Sequence, residues 1–304
     1  MLWLTVIISS YLILSIVFLV DKYLLVGPIP NPKVYTFYIG TLGILLLILA
    51  PFVGFYIPEI PQIVLSISAG AIFIYALFWF NKALRLFEAS RVIPAIGGLI
   101  PLFTFGLVYI FSFGKESLSF SATIAFVLLV FGSILITLEK EKFINRKSLQ
   151  ISTLASFLFS LSFVLTKYVY LNQPFWNGYI WIRIGGFLMA FCFFLFVPEV
   201  KEEIFKKKIS FKKKTVGIFL SNQTAGAGAN ILQNWAIALA GLTYLAVINA
   251  LQGVQYVFLF IFATLISFKF PKILKEDISR KVLFQKIISI FLIGGGLIIL
   301  TLRG

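Results

Sequence analysis

The sequence predicts an all-α integral membrane protein: ten transmembrane helices arranged as two inverted five-helix repeats. Three observations predict it. Long apolar runs use up almost the whole chain, basic residues crowd onto alternate loops, and the second half repeats landmarks of the first.

Of the 304 residues, 60% are apolar or aromatic and only 12% are charged. A soluble domain of this length cannot hide that much apolar surface, whereas apolar runs of about 17 residues or more have the length of a membrane-spanning helix. Ten such runs can be read: Trp3–Val20, Val34–Ala50, Pro61–Phe80, Glu88–Ser112, Ser121–Leu138, Ile151–Tyr170, Tyr179–Val197, Val216–Leu239, Tyr244–Phe268 and Ile287–Leu302. The eighth is the most polar, because it carries Asn222, Gln223, Asn230, Gln233 and Asn234. The longest loop, about Pro198–Thr215, is too short to be a domain. The first run lacks the basic start and small-residue cleavage site of a signal peptide, since no Lys or Arg precedes Lys22, and is expected as a retained helix.

The net charge of +15 is distributed by topology rather than gathered for a nucleic acid. Of 26 Lys and Arg residues, 22 fall in the five loops that follow odd-numbered runs. The positive-inside rule puts those loops in the cytoplasm and both termini outside, in a plasma (inner) membrane. The basic stretch KKKISFKKK (206–214) reads as a topology anchor near anionic lipid, not as a site for nucleic acid.

The repeat appears at four offsets that grow only at loops. Ser15, Phe18, Lys22 and Tyr23 recur as Ser160, Phe163, Lys167 and Tyr168. Pro32 and Gly43 recur as Pro174 and Gly185; Ala83, Val92, Ala95 and Gly98 as Ala238, Val247, Ala250 and Gly253; Gly132 and Thr137 as Gly296 and Thr301. Four sets in one order point to duplication. Five is odd, so two tandem five-helix units cross the membrane in opposite directions. The units are 1–140 and 151–304, with 141–150 as a charged linker. Inverted repeats are the architecture of many secondary transporters, with the substrate near the midplane between them.

Here the chain resembles a known family. The two five-helix halves, the Lys closing the first helix of each half, and the stretch ALRLFEASRVIPAIGGLIPLFTFGLVYIFSFGKES, with Pro101 and Glu116, are similar to the EamA-like branch of the drug/metabolite transporter superfamily. The likeness covers essentially the full length with loose motifs. In the second half Tyr256 stands where Pro101 has its counterpart and Pro271 where Glu116 does, so any role of that Glu is not duplicated. The resemblance implies export or exchange of small metabolites through a central cavity, without ATP.

Polar side chains in hydrocarbon are costly and tend to face the bundle interior. Asn230, Gln233 and Asn234 share one face of the eighth helix, and Asn249, Gln252 and Tyr256 one face of the ninth. The counterparts of Asn230 and Asn234 are Tyr75 and Trp79; those of Asn249 and Gln252 are Pro94 and Gly97. If these faces meet, an amide wall opposes an aromatic wall, which suits an amphipathic organic solute. Interhelical hydrogen bonding is the plainer role for each amide. Arg183 is either a snorkelling residue or a clamp for carboxylate or phosphate. Lys22 is explained by the charge rule; Lys167, on the external side, is not. The expected substrate-binding set is Tyr75, Trp79, Lys167, Arg183, Asn230, Asn234, Asn249 and Gln252. Small residues at 226–229 and 294–296 are expected to admit close helix contacts.

The single cysteine, Cys192, excludes disulfides and Cys-rich metal sites. With no histidine, no HExxH and no pair of intramembrane Asp residues, an enzyme is not expected, although a Ser–Lys dyad stays open. No cofactor is expected. Carboxylates near the helices (Asp21, Glu59, Glu88 and Glu116) all stand at ends, which favours a facilitator or exchanger over a proton-driven pump. The expected partners are a small-molecule solute and membrane lipid, with room for a homodimer. The competing readings are a flippase for a lipid-linked headgroup, which needs a cavity open sideways to the bilayer, and a non-transporting sensor or scaffold.

Overall fold

The computed structural model describes residues 2–26, 31–86, 89–137, 146–205, 213–269 and 280–303. The side chain of Lys22 and most of the basic stretch 206–214 lie outside the described residues. Within them the chain is helical and has no strand. The helices are α1 (Leu2–Val26), α2 (Pro32–Leu42), α3 (Ile60–Leu86), α4 (Ala89–Phe111), α5 (Phe120–Thr137), α6 (Arg146–Asn172), α7 (Phe175–Phe196), α8 (Pro198–Phe205), α9 (Lys213–Leu239), α10 (Leu245–Ala250), α11 (Gln252–Lys269) and α12 (Arg280–Arg303). Helix stands at each of the ten apolar runs, and α6 begins inside the expected linker. Seven spans are long and apolar enough to cross a membrane, and the apolar parts of α4 and α5 are shorter. The polar residues of α9 keep it out of that group.

Local sequence sets several boundaries. Asn31 caps α2 by accepting from the Lys33 amide at 3.0 Å, with Pro32 at the first helical position, where its missing N–H costs nothing. After Leu42 the same rod narrows into a 3-10 helix over Gly43–Phe52.

In lipid, helices gain little from apolar burial, so close packing and hydrogen bonds hold the bundle. Helix α3 packs between α6 and α7, α9 packs on α1, α4 on α6, α11 on α1, and α5 on α12. Buried serines tie two of these contacts. Ser162 donates to the Ala69 carbonyl at 2.8 Å across α6–α3, and Ser10 to the Ala229 carbonyl at 2.7 Å across α1–α9.

The tightest contacts use glycines other than those expected. A Cβ on Gly70 would lie 1.8 Å from the Ile182 carbonyl oxygen, and one on Gly185 would lie 2.3 Å from that of Ile67, so α3 and α7 touch backbone to backbone. At the α5–α12 contact Gly132 faces Ser289 and Ile293, while Gly296 faces Ala125 and Leu129. Each glycine thus meets the residues seven and three positions before the other. Of the runs 226–229 and 294–296, Gly296 is tightly packed, whereas Gly228 and Gly294 have open space beside them.

Candidate functional site

A cavity of about 1080 Å³ lies among α1, α2 with its 3-10 extension, α3, α4, α6, α7 and α9–α11. It reaches Leu25 and Pro32, which flank the α1–α2 connection. From α1 it takes residues between Tyr11 and Leu25, and from α9 residues between Leu220 and Gln233. At Arg183 and Asn230 it adjoins a chamber of about 30 Å³ that continues to Asn234.

Arg183 is the central charge. It lies eight residues into α7, about 12 Å at 1.5 Å per residue, deeper than a residue that snorkels from a helix end. Its Nη2 donates to the Tyr179 hydroxyl at 2.8 Å and to Asn230 Oδ1, and the guanidinium lies 4.8 Å from the Tyr179 ring centre. Tyr179 Oη also donates to Asn230 Oδ1 at 2.9 Å, and Asn234 Nδ2 donates to the same oxygen at 2.8 Å. All these partners are neutral. The one salt bridge among the described residues is Lys33–Glu199, so Arg183 brings an uncompensated positive charge to the cavity wall.

The α10–α11 wall is amide-rich. Asn249, 2% exposed, donates to Thr104 Oγ1 at 2.8 Å and joins α10 to α4. Gln252 also lines the cavity. Gln255 lines it too and is 1% exposed, yet its amide nitrogen and oxygen have no protein partner. A buried amide without partners is rare enough to point to a ligand or water. The composition of the sequence did not single out Gln255, although its i, i+3 spacing from Gln252 was a usable signal.

Other expected residues fall elsewhere. Lys167, 3% exposed, is not on the cavity wall: its Nζ donates to the carbonyls of Ile237, Ala238 and Ala240 at 3.1, 3.1 and 2.5 Å. These carbonyls at the end of α9 have no helical partners, and a cation there suits the helix dipole. Tyr75 and Trp79 are also off the wall: Tyr75 stacks on Phe78, and Lys82 lies 4.3 Å from the Trp79 ring centre. The aromatic wall comes instead from Phe73, Phe80, Phe159 and Phe163, with Phe73 and Phe80 packed edge-on against Phe159. An amide wall does face an aromatic one, built from a different face of α3.

The two ends of the cavity differ. Near Leu25 and Pro32, Asp21 accepts from Tyr35 Oη and from Asn222 Nδ2 at 2.6 Å, and Gln223 Nε2 donates to Tyr35 Oη at 3.3 Å. Asp21 therefore ties α1, α2 and α9 together and lines the cavity. Beyond Asn234 the path is sealed. Tyr170 Oη donates to Asn234 Oδ1 at 2.9 Å, Phe175 stacks on Tyr179 and meets Trp235 edge-on at 4.7 Å, and Thr243 donates to Glu116.

No family model matches the chain, and no curated protein matches it. Among solved structures 28 chains match. One, described only as a crystal structure of a protein, is 17% identical, covers 99% of this chain and 97% of its own, and superposes with a TM-score of 0.68. At that identity the likeness speaks for the fold alone.

Proposed function

We propose that the chain is a secondary transporter of a small organic anion, working by alternating access between two inverted five-helix halves. The observation that carries this reading is Arg183, held by neutral partners where a cavity of about 1080 Å³ narrows to a sealed end. A guanidinium fork pairs with carboxylate or phosphate, and a cation in a low-dielectric site is costly until it is paired. The amide wall then supplies hydrogen bonds and the aromatic wall apolar contact.

The exchange of packing partners supports the inverted repeat: α3–α6 answers α9–α1, and α4–α6 answers α11–α1. The reciprocal seating of Gly132 and Gly296 is the contact expected where a twofold axis passes between counterpart helices. The ten-helix layout fits the EamA-like drug/metabolite transporters that the sequence resembles, with α1, α2–3-10, α3–α7, α9, α10–α11 and α12 as the ten crossings. With basic loops in the cytoplasm and both termini outside, the cavity reaches toward the inner side of the plasma membrane and the aromatic seal is external.

The test is flux into proteoliposomes across organic carboxylates, phosphate esters, neutral solutes and cations. Arg183→Gln is expected to lower anion flux by about tenfold or more, the worth of one charge-assisted hydrogen bond, with little change for neutral solutes. Equal loss for cations and anions removes Arg183 as the anion site. A terminal tag protected from reagents outside intact cells reverses the sidedness.

A further inference from the structure

The wall formed by residues 42–49 narrows the substrate class. A 3-10 helix has three residues per turn, so side chains at i and i+3 fall in straight rows. Over Gly43–Phe52, with Leu42 preceding, one row is Leu42, Leu45 and Ile48, and a second is Gly43, Leu46 and Leu49. Both rows line the cavity; the third, Ile44, Leu47 and Ala50, does not. Runs of 3-10 helix beyond three or four residues are uncommon, because their hydrogen bonds are poorer than those of an α-helix. Here the run is 10 residues long, and it converts the spiral stripe of an α-helix into a straight apolar rail.

The rail begins at the charge. A Cβ on Gly43 would lie 3.5 Å from Arg183 Cδ. From Leu42 to Leu49 it extends about 14 Å at about 2.0 Å per residue. That is close to half of the roughly 30 Å hydrocarbon core, the depth of one leaflet. Its outer edge also faces away from the protein: Leu45 and Ile48 are 56% and 67% exposed, values of a convex surface rather than a concave wall. The side chains that line the cavity are therefore the ones that meet lipid, and the cavity is open sideways to the bilayer at this edge. Across the cavity α9 does not pack along the rail; α9 and α2 meet through Phe219 with Tyr35 and Tyr38, and through Gln223.

We propose that the substrate is an anionic amphiphile, a single hydrocarbon tail bearing a phosphate or carboxylate headgroup, with the headgroup on Arg183 and the tail along the Leu42–Leu49 rail. This deepens the transport reading and rests on it. A tail-less anion would leave the rail against water inside the cavity, at about 25 cal/mol for each Å² of apolar surface left wet. A tail covers that surface, and the sideways opening lets it enter from the leaflet without leaving hydrocarbon. The unpartnered amide of Gln255 adds a hydrogen-bonding group to the polar part of the same cavity.

Equilibrium binding to the full chain in phosphatidylcholine nanodiscs tests this with hexadecyl phosphate, ethyl phosphate and hexadecyltrimethylammonium, alongside flux of the same compounds. At equal aqueous concentration hexadecyl phosphate is expected to bind at least about a hundredfold tighter than ethyl phosphate once uptake by empty nanodiscs is subtracted, since each methylene that leaves water contributes about 0.8 kcal/mol. The double substitution Leu45→Ala/Ile48→Ala, which shortens exposed side chains and spares the fold, should weaken hexadecyl phosphate about tenfold and leave ethyl phosphate unchanged. Arg183→Gln should weaken both phosphates and not the ammonium amphiphile. The control Ile261→Ala, at another exposed position off the cavity, should change nothing. Hexadecyl phosphate binding that ignores both Arg183 and the rail is partition into the lipid shell and overturns the proposal, as does equal affinity for the two phosphates. If small anions are carried while the alkyl phosphate neither binds nor competes, transport stands and the amphiphile falls. Binding with the expected dependences but no flux of any compound leaves the site standing and removes the transporter.

Discussion

Two helix contacts that correspond in the sequence have opposite character. Helix α3 lies on α7 with Gly70 and Gly185 in backbone contact. The corresponding contact pairs α9 with α2, where the counterparts of Ile67, Gly70 and Gly185 are Asn222, Ala225 and Gly43. There the helices stand apart, joined by rings and by the Asp21–Tyr35–Asn222 hydrogen bonds. The cavity and its apolar rail occupy that gap. Where glycines let backbones touch the helices close on each other, and where a polar side chain and a methyl group stand instead they leave a gap. In an alternating mechanism these two contacts would exchange roles.

The largest effect should come from breaking the tight contact. Gly70→Ala sets a methyl carbon 1.8 Å from a backbone oxygen that cannot swing aside. Overpacking typically costs about 1–3 kcal/mol, and a clash with main chain belongs at the upper limit, about 3 kcal/mol. Thermal unfolding in detergent should show a large loss for Gly70→Ala and for Gly185→Ala. Gly228→Ala, where a Cβ meets nothing within 4 Å, should be neutral or mildly stabilising. Similar losses at Gly70 and Gly228 would mean that the difference between the two contacts is not one of backbone approach.

A middle-sized effect is expected at the seal itself. Tyr170→Phe removes the hydrogen bond to Asn234 Oδ1 while keeping the ring beside Phe175. One such bond is worth about 1 kcal/mol, or about fivefold in the ratio of sealed to unsealed forms. In a Cys192→Ser background, Ile231→Cys on the cavity wall should react about fivefold faster with a membrane-impermeant thiol reagent applied at the Phe175–Trp235 end. An unchanged rate assigns the sealing to the aromatic cluster alone.

Much of the helical layout was legible, because ten apolar runs and their punctuation depend on local chemistry. The site was legible in kind and less so in detail. Asn230, Asn234, Asn249, Gln252 and Arg183 line the two chambers, since polar groups in hydrocarbon gather where they find partners. Tyr75 and Trp79 miss the wall because they lie on another face of α3. Phe73, Leu77, Phe80 and Asn81 occupy the cavity face at i, i+4, i+7 and i+8. Lys167 illustrates a different limit: the carbonyls it caps are 70 to 73 residues ahead, on a helix end whose position only tertiary packing decides. The 3-10 character of Gly43–Phe52 was not readable either, because an unbroken run of Ile and Leu carries no period that separates three residues per turn from 3.6.

The smallest effect belongs to the tether that holds the start of α2 against α8. Lys33 Nζ donates to Glu199 Oε1 at 2.5 Å, with the side chains 31% and 51% exposed. The hydrogen bond from Lys33, helped by the local backbone, holds the Glu199 carboxyl below the usual carboxylate range. A depressed folded value means that the contribution is fully present above the ordinary value of 4.5 and fades as pH falls through the folded one. Solvent and salt screen an exposed pair, and at about 1 M salt the screening length is only about 3 Å. Glu199→Gln should therefore melt almost with the native chain at neutral pH. The small remaining difference should vanish in acid or in high salt. A large, salt-resistant loss at neutral pH would make this tether, rather than the glycine contact across α7, what keeps α2 away from α9.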